Sequence, residues 1–190
     1  MTLRLLAFAA SLRAGSFNRR LLALAVGLLR DGGAEVDQAE FAEFDMPLFN
    51  HDVQQRDGFP AGARELARRV EAAHGLVIAS PEYNYSIPGT LKNAVDWVSR
   101  MQPMPLRGRS ALLLSASTSV VGGSRGQLQL RIPLESLGVF VHPEGYTLPG
   151  AAQAFAEDGS LVERARQERL ERLVAAYLGT ARALAVPGAG

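Results

Sequence analysis

The chain has 190 residues, and Lys+Arg 20 against Asp+Glu 19 leaves a formal net charge of +1. That balance is far from the basic one that would suggest nucleic acid, so no nucleic-acid partner is expected, and the absence of cysteine excludes disulfides, thiolate zinc sites, iron–sulfur clusters and a cysteine nucleophile. With hydrophobic residues at 47% and charged residues at 21%, the expectation is one globular domain spanning 1–190 with a single sizeable core.

Residues 3–10 are a short continuous apolar run, as a strand buried on both faces requires. The run is shorter than the roughly 15–30 residues of a secretory signal, and no stretch of about eighteen apolar residues occurs, so no membrane span is expected. The expected location is the cytoplasm. Phe17, Leu21, Leu24, Ala25 and Leu28 then recur at helical spacing until Asp31-Gly32-Gly33 stops the helix. Residues 34–39 form a weaker strand. From Phe41 to Pro60 no period is visible, and Pro47, Gly58 and Pro60 predict a long loop, which at that length is functional or an interface element.

A helix is predicted over 61–73 and a second fully apolar strand over 75–80. The loop 81–87 leads to Pro88, read as a first-turn proline of a helix reaching about Ser99. Arg107-Gly108-Arg109 turns the chain into a strand over 110–115, followed by a Ser/Gly-rich loop. A helix over 125–137 follows despite Pro133, then a short strand at 139–141 and a small extension at 146–148. The last helix spans 161–184, with Leu170, Leu173, Val174, Tyr177 and Ala181 on its apolar side, and a frayed tail is expected over 187–190.

This alternation predicts an α/β fold with a doubly wound parallel sheet and helices on both faces. Ligands of such sheets bind outside the carboxyl ends of the strands. The loops after Ala10, Ser80 and Ser115 are therefore the places to look. In the first, Ser11, Ser16, Asn18 and Arg13 surround a helix N-terminus, and Gly15 lets the backbone come close, a set that suits a phosphate without a metal. A plain Ser16 cap beside a solvated Arg13 would produce the same letters. In the second, Glu82, Tyr83, Asn84 and Tyr85 stand between Pro81 and Pro88, which fits a rigid edge along a planar heterocycle, or equally an ordinary rigid turn.

Elsewhere the chemistry is sparse. His51, His74 and His142 lack paired metal-ligand spacing, and no G-x-S-x-G elbow occurs. The mixed-sign run from Glu163 through Arg172 reads as a solvated helix face, as does Lys92, the sole lysine. Trp97, among Val95, Val98 and Met101, reads as core or interface packing.

Ser11-Leu12-Arg13-Ala14-Gly15-Ser16-Phe17-Asn18, then Pro81-Glu82-Tyr83-Asn84-Tyr85-Ser86-Ile87-Pro88-Gly89, then Leu91-Lys92-Asn93-Ala94-Val95-Asp96-Trp97-Val98-Ser99-Arg100 resembles the NAD(P)H-dependent FMN reductase family, which includes bacterial chromate and quinone reductases. The likeness extends through Val53-Gln54-Gln55, Gly122-Gly123-Ser124-Arg125 and Gly150-Ala151-Ala152 to Asp158-Gly159. It departs at Ala10, where the family usually places glycine, and over Thr118-Ser119-Val120-Val121, a loop that varies widely. The resemblance implies a flavodoxin-like five-stranded sheet with noncovalent FMN near a subunit interface, in a homodimer or homotetramer. It assigns Ser11, Arg13, Ser16 and Asn18 to the FMN phosphate with Phe17 beside it. Pro81, Glu82, Tyr83, Asn84 and Tyr85 fall to the ribityl chain and ring, and Ser117, Gly122 and Gly123 to the remaining side.

The reaction it implies is hydride transfer from NADPH or NADH to the flavin and on to a quinone, free flavin, chromate or azo compound, by ping-pong. Asn84 and Tyr85 would support the flavin, and no side chain is expected to be catalytic in its own right. In an oligomer of the kind the resemblance implies, an interface network is one use for Arg125, whose role the sequence leaves open. The competing readings are a flavodoxin-like electron carrier and a non-catalytic flavin-binding module; the first is disfavoured by the lack of an acidic docking cluster.

Overall fold

In the computed structural model, which describes residues 1–185, four strands run parallel in the order β2 (Glu35–Ala39), β1 (Arg4–Ala9), β3 (Gly75–Ala79), β4 (Ser110–Ala116). The fifth position is divided. β5 (Phe140–Val141) pairs with the start of β4, and β6 (Tyr146–Leu148) pairs with its end. The order reverses between β1 and β3, so the loops after these strands flank the switch point where doubly wound sheets bind ligands. The tail expected over 187–190 lies outside the described residues.

Side chains of one strand alternate between faces, and here both faces are covered. Leu5, Ala7 and Ala9 of β1, with Val77 and Leu112, meet α1 (Phe17–Asp31) and α6 (Arg164–Ala185). Leu6 and Phe8, with Leu76, Ile78 and Leu113, meet α3 (Ala61–Ala72), α4 (Gly89–Val98) and α5 (Ser124–Ser136). That explains why β1, β3 and β4 read as unbroken apolar runs while the edge strand β2, mostly exposed, carries Glu35, Asp37 and Gln38. Each fully buried Leu or Val of these strands contributes roughly 1.5–3 kcal/mol. Tyr177 of α6 is buried with them, its hydroxyl donating to Leu76 O at 3.0 Å, and burial pushes its pKa up.

The stretch 41–60 is not the unstructured loop its letters predict. It holds a 3₁₀ turn (Phe41–Phe44) and a short helix, α2 (His51–Asp57). Phe41 and Phe44 fall on one side of the three-residue turn and pack on Phe8, with centroids 5.6 and 5.9 Å away. Asn50 caps α2 through the N–H groups of Asp52 and Val53, and no residue of α2 is buried, so no apolar period could announce it. Two side chains of α4 pin the chain between these turns. Trp97 Nε1 and Asn93 Nδ2 both donate to Pro47 O, at 2.8 and 3.0 Å, while Asn93 Oδ1 accepts from Phe49 N at 2.8 Å. Phe49 and Phe59 meet the indole edge-on. Trp97 is thus core.

Smaller differences have local causes. Pro88 is the N-cap of α4 and not its first residue, with φ −56° and ψ 137°. The last helix begins at Arg164 because Leu161 is held in a bridge to Phe155. Lys92 is exposed and pairs with Asp96 at 2.7 Å across one helical turn.

His74, between α3 and β3, gives a pH-dependent stability. Its Nδ1 accepts the Arg4 N–H at 2.9 Å, and burial, then the charges of Arg4 and Arg109, hold its pKa below 6.5. The unfolded chain therefore takes the proton first. The stabilisation is complete above pH 6.5 and declines as pH falls below it. Melting temperatures between about pH 7.5 and 5.5 should fall for the wild type and flatten for His74→Gln, which can accept without titrating.

Candidate functional site

β1 delivers the first loop to the N-terminus of α1. Ser16 is the cap, with φ −71° and ψ 127°, and its Oγ accepts the Asn18 N–H at 3.2 Å. The capping reading and the anion reading are therefore compatible, since the Ser16 hydroxyl proton is still available. The amides of Leu12, Arg13, Ala14 and Gly15 have no backbone partner among the described residues, and the first turn of α1 carries no acid. Free N–H groups at a positive dipole end, with no acid in the first helical turn, form a seat suited to an anion. Arg13 is exposed at its mouth, its guanidinium 5.3 Å from the centre of the Phe17 ring. Ser11 is buried at the base of the loop, and Ala10 donates its N–H to Ala79 O at 2.9 Å, a strand-like bond that its methyl does not disturb.

Asn18 does not face this seat. It is buried, with Nδ2 donating to Ala116 O at 3.0 Å and Oδ1 accepting from Ala116 N at 2.9 Å. One primary amide thus completes the backbone bonding at the carboxyl end of β4 and ties α1 to the third loop. These bonds make Asn18 a clasp between two walls of the site, with its second Nδ2 hydrogen unpaired among the described residues.

The loop after β3 is a two-residue hairpin. Tyr83 and Ser86 exchange both backbone bonds, at 2.9 and 3.0 Å, and the residues between them, Asn84 and Tyr85, have φ +50° and +67°. Two consecutive left-handed residues make the primed turn of tight hairpins. Asparagine tolerates it, but a tyrosine there stores on the order of 1–3 kcal/mol, the kind of strain that collects at ligand sites. The turn holds both tyrosine rings outward, Tyr83 52% and Tyr85 67% exposed. Pro81 is buried beneath them.

Glu82 faces away from the tyrosines and into the protein. Its Oε2 accepts the N–H groups of Arg125 and Gly126 at 3.0 and 3.1 Å, and Arg125 Nη1 lies 3.5 Å from Oε1. Helix α5 starts at Gly123, which has no side chain to cap it, so a carboxylate from the neighbouring loop supplies the cap. Arg125 in turn lies over the Tyr85 ring, 4.0 Å from its centre. Glu82 therefore fastens the hairpin to α5.

The third loop closes the far side. Ser117 donates its N–H to Leu148 O and accepts from Ala151 N, and its Oγ lies 3.2 Å from that of Ser119. Gly122 and Gly123 are buried with φ +62° and +87°. Beside the first loop a cavity of about 270 Å³ is lined by Leu12, Phe41, Phe44, Met46, Thr90 and Asn93. Asn93, the anchor of that wall, had only its place within a motif to announce it.

Residues 3–153 match the family model described as NADPH-dependent FMN reductase. A quinone reductase of Escherichia coli K12 is 37% identical over 169 residues, covering 88% of this chain and 89% of that one. An NAD(P)H-dependent FMN reductase of Pseudomonas aeruginosa is 36% identical over 173 residues, 90% of each. Among solved structures, the flavoenzyme NAD(P)H:(acceptor) oxidoreductase FerB of Paracoccus denitrificans superposes with a TM-score of 0.80 at 26% identity, covering 95% of this chain and 98% of that one. With the sheet order and these likenesses agreeing, the chain belongs to the NADPH-dependent FMN reductase family.

Proposed function

We propose that this chain is a single-domain, cytoplasmic oxidoreductase that holds FMN noncovalently, oxidises NADPH or NADH, and reduces a small acceptor such as a quinone, free flavin, chromate or an azo compound. The observation that carries the reading is the pairing, at the carboxyl ends of adjacent strands β1 and β3, of an anion seat with a strained aromatic hairpin. A phosphate and a planar ring on one molecule suit that pairing, so the residues present fit FMN.

Ser11, Arg13, Ser16 and the amides of the first loop hold the phosphate in this reading, with Phe17 beside it. Pro81, Tyr83, Asn84 and Tyr85 hold the ring, and Ser117, Gly122 and Gly123 close the remaining side. Asn18 and Glu82 act by position, through Ala116 and through α5. The chemistry such a cofactor supplies when bound is two-electron transfer between a nicotinamide and an acceptor that use one site in turn. The N–H groups of Asn84 and Tyr85, unpaired among the described residues, are the donors assigned to negative charge on the ring. The cavity beside Leu12, whose wall includes Asp45, Thr90 and Asn93 as well as aromatic rings, leaves room for part of an acceptor. Self-association is assigned to α5, where Leu128 and Ile132 are exposed beside a groove lined by Ile87, Lys92 and Pro133.

The purified protein incubated with FMN and desalted should be yellow, and should bleach on anaerobic addition of NADPH or NADH. Adding 1,4-naphthoquinone should then restore the colour over repeated cycles. Flavin that is retained but bleached by neither nucleotide would turn the reading toward an electron carrier. A protein that stays colourless would remove the site assignment.

A further inference from the structure

The segment after β6, from Gly150 to Leu161, has no role in the reading above, yet it touches both walls of the anion seat. At one end Ala151 N–H donates to Ser117 O at 3.0 Å and Gly150 N–H to Ser119 O at 3.3 Å, which fastens it to the loop after β4. At the other end Phe155 pairs with Leu161 and lays its ring on that of Phe17, with centroids 6.4 Å apart and planes 8° from parallel. Each ring of this pair also has a cation over it. Arg20 lies 4.3 Å from the centre of the Phe155 ring, and Arg13 lies 5.3 Å from the centre of the Phe17 ring. Arg20 is further tied by a bond to Ala156 O at 3.3 Å.

The set Arg20, Phe155, Phe17 and Arg13 is electrostatically consistent, because each ring presents a negative face to a guanidinium. Neither arginine is within ion-pair distance of a carboxylate among the described residues. An aromatic face orients Arg13 without neutralising it, so its N–H donors stay available to an anion. An arginine already held still loses less freedom when that anion arrives.

We propose that Phe155 is a positioning residue for the anion seat: backed by Arg20, it fixes Phe17, and through Phe17 the guanidinium of Arg13. The proposal rests on the FMN reading and adds to it a residue outside the loops that would touch the cofactor. It makes the segment 150–161 the shared buttress of the first and third loops.

The test is a double-mutant cycle on FMN affinity, read by quenching of flavin fluorescence on titration into apo-protein. Phe155→Leu, which keeps apolar bulk but removes the ring, should weaken FMN binding about tenfold. Phe155→Tyr, which keeps the stack, should stay within about twofold of wild type. In an Arg13→Gln background the Phe155→Leu loss should largely vanish, since the group it orients is gone. Arg20→Gln, which leaves every apolar contact in place, should give a smaller loss, about threefold, that vanishes in the same background. Wild-type affinity in Phe155→Leu, or losses that add in full to that of Arg13→Gln, overturns the proposal. Should Phe155→Leu fail to fold, the Arg20→Gln cycle decides by the same rule. An Arg13→Gln variant that binds FMN like wild type instead overturns the anion seat itself, and this inference with it.

Discussion

Asn18→Ala should unfold about 3 kcal/mol more easily than wild type with no flavin present. The substitution strips both partners from the Ala116 backbone, the N–H at 2.9 Å and the C=O at 3.0 Å, in a buried position. Each buried backbone group left without a partner costs about 1–3 kcal/mol. In a chain of this length 1 kcal/mol moves the melting temperature by about 2–4 °C, so a drop of roughly 6–12 °C is expected for the apo-protein. Asn18→Asp should not rescue it, because a carboxylate can accept from Ala116 N but has no proton for Ala116 O and brings a charge into the interior. FMN affinity should fall in both variants, since the first turn of α1 and the loop after β4 are no longer held together. A side chain that touched phosphate directly would behave in the opposite way. Its removal would weaken FMN binding and leave the apo-protein as stable as before, and that result in a thermal scan would return Asn18 to the ligand set.

The sheet and five of the six α-helices among the described residues were legible because burial on two faces writes itself into period. β1, β3 and β4 are apolar without interruption, and α1, α3 and α4 repeat every three to four residues. Helix α2 was not legible, because it buries nothing and hangs on a single Asn50 cap. The turn at Phe41–Phe44 was missed because two aromatics three apart in a Pro-containing stretch do not amount to a period. The resemblance pointed to these loops, but the letters did not say which way each polar side chain faces. Asn18 and Glu82 stand in the two candidate loops and spend bonds on backbone 98 and 43–44 residues away. For Glu82 a signal existed: α5 follows two glycines and so lacks a cap of its own, and an acid on a neighbouring loop is the natural donor of one. For Asn18 there was none, since a clasp across the sheet edge leaves no local trace. The left-handed pair Asn84 and Tyr85 was likewise hidden, because tyrosine is not a residue that announces a primed turn.

Gly123→Ala should be the most damaging single methyl in the site. Gly123 enters α5 at φ 87° and ψ 21°, a left-handed conformation that costs an L-residue about 1–2 kcal/mol. A Cβ there would also lie 1.9 Å from Ser115 Oγ and 2.9 Å from Ser115 Cβ. Ser115 cannot yield freely: it is fully buried, and its hydroxyl donates to Ser80 O at 2.7 Å, the bond that joins the ends of β3 and β4. Overpacking of such a site adds about 1–3 kcal/mol, for a total of about 2–5 kcal/mol. Gly150→Ala is the matched control, because its φ is +60° and a Cβ there meets nothing within 4 Å. It should lose only the backbone share, about 1–2 kcal/mol. Relief by Ser115→Ala should be partial, since the clash with Cβ persists after Oγ is removed. The functional consequence follows from what Gly123 holds in place. If the start of α5 moves, the N–H groups of Arg125 and Gly126 leave the Glu82 carboxylate, Arg125 leaves the Tyr85 ring, and the strained hairpin loses what keeps it strained. FMN affinity, measured well below the melting temperature of each variant, should therefore drop further for Gly123→Ala than for Gly150→Ala. Equal melting temperatures for the two variants would mean that the joint between β3 and β4 is soft, and that α5 is not what holds the hairpin.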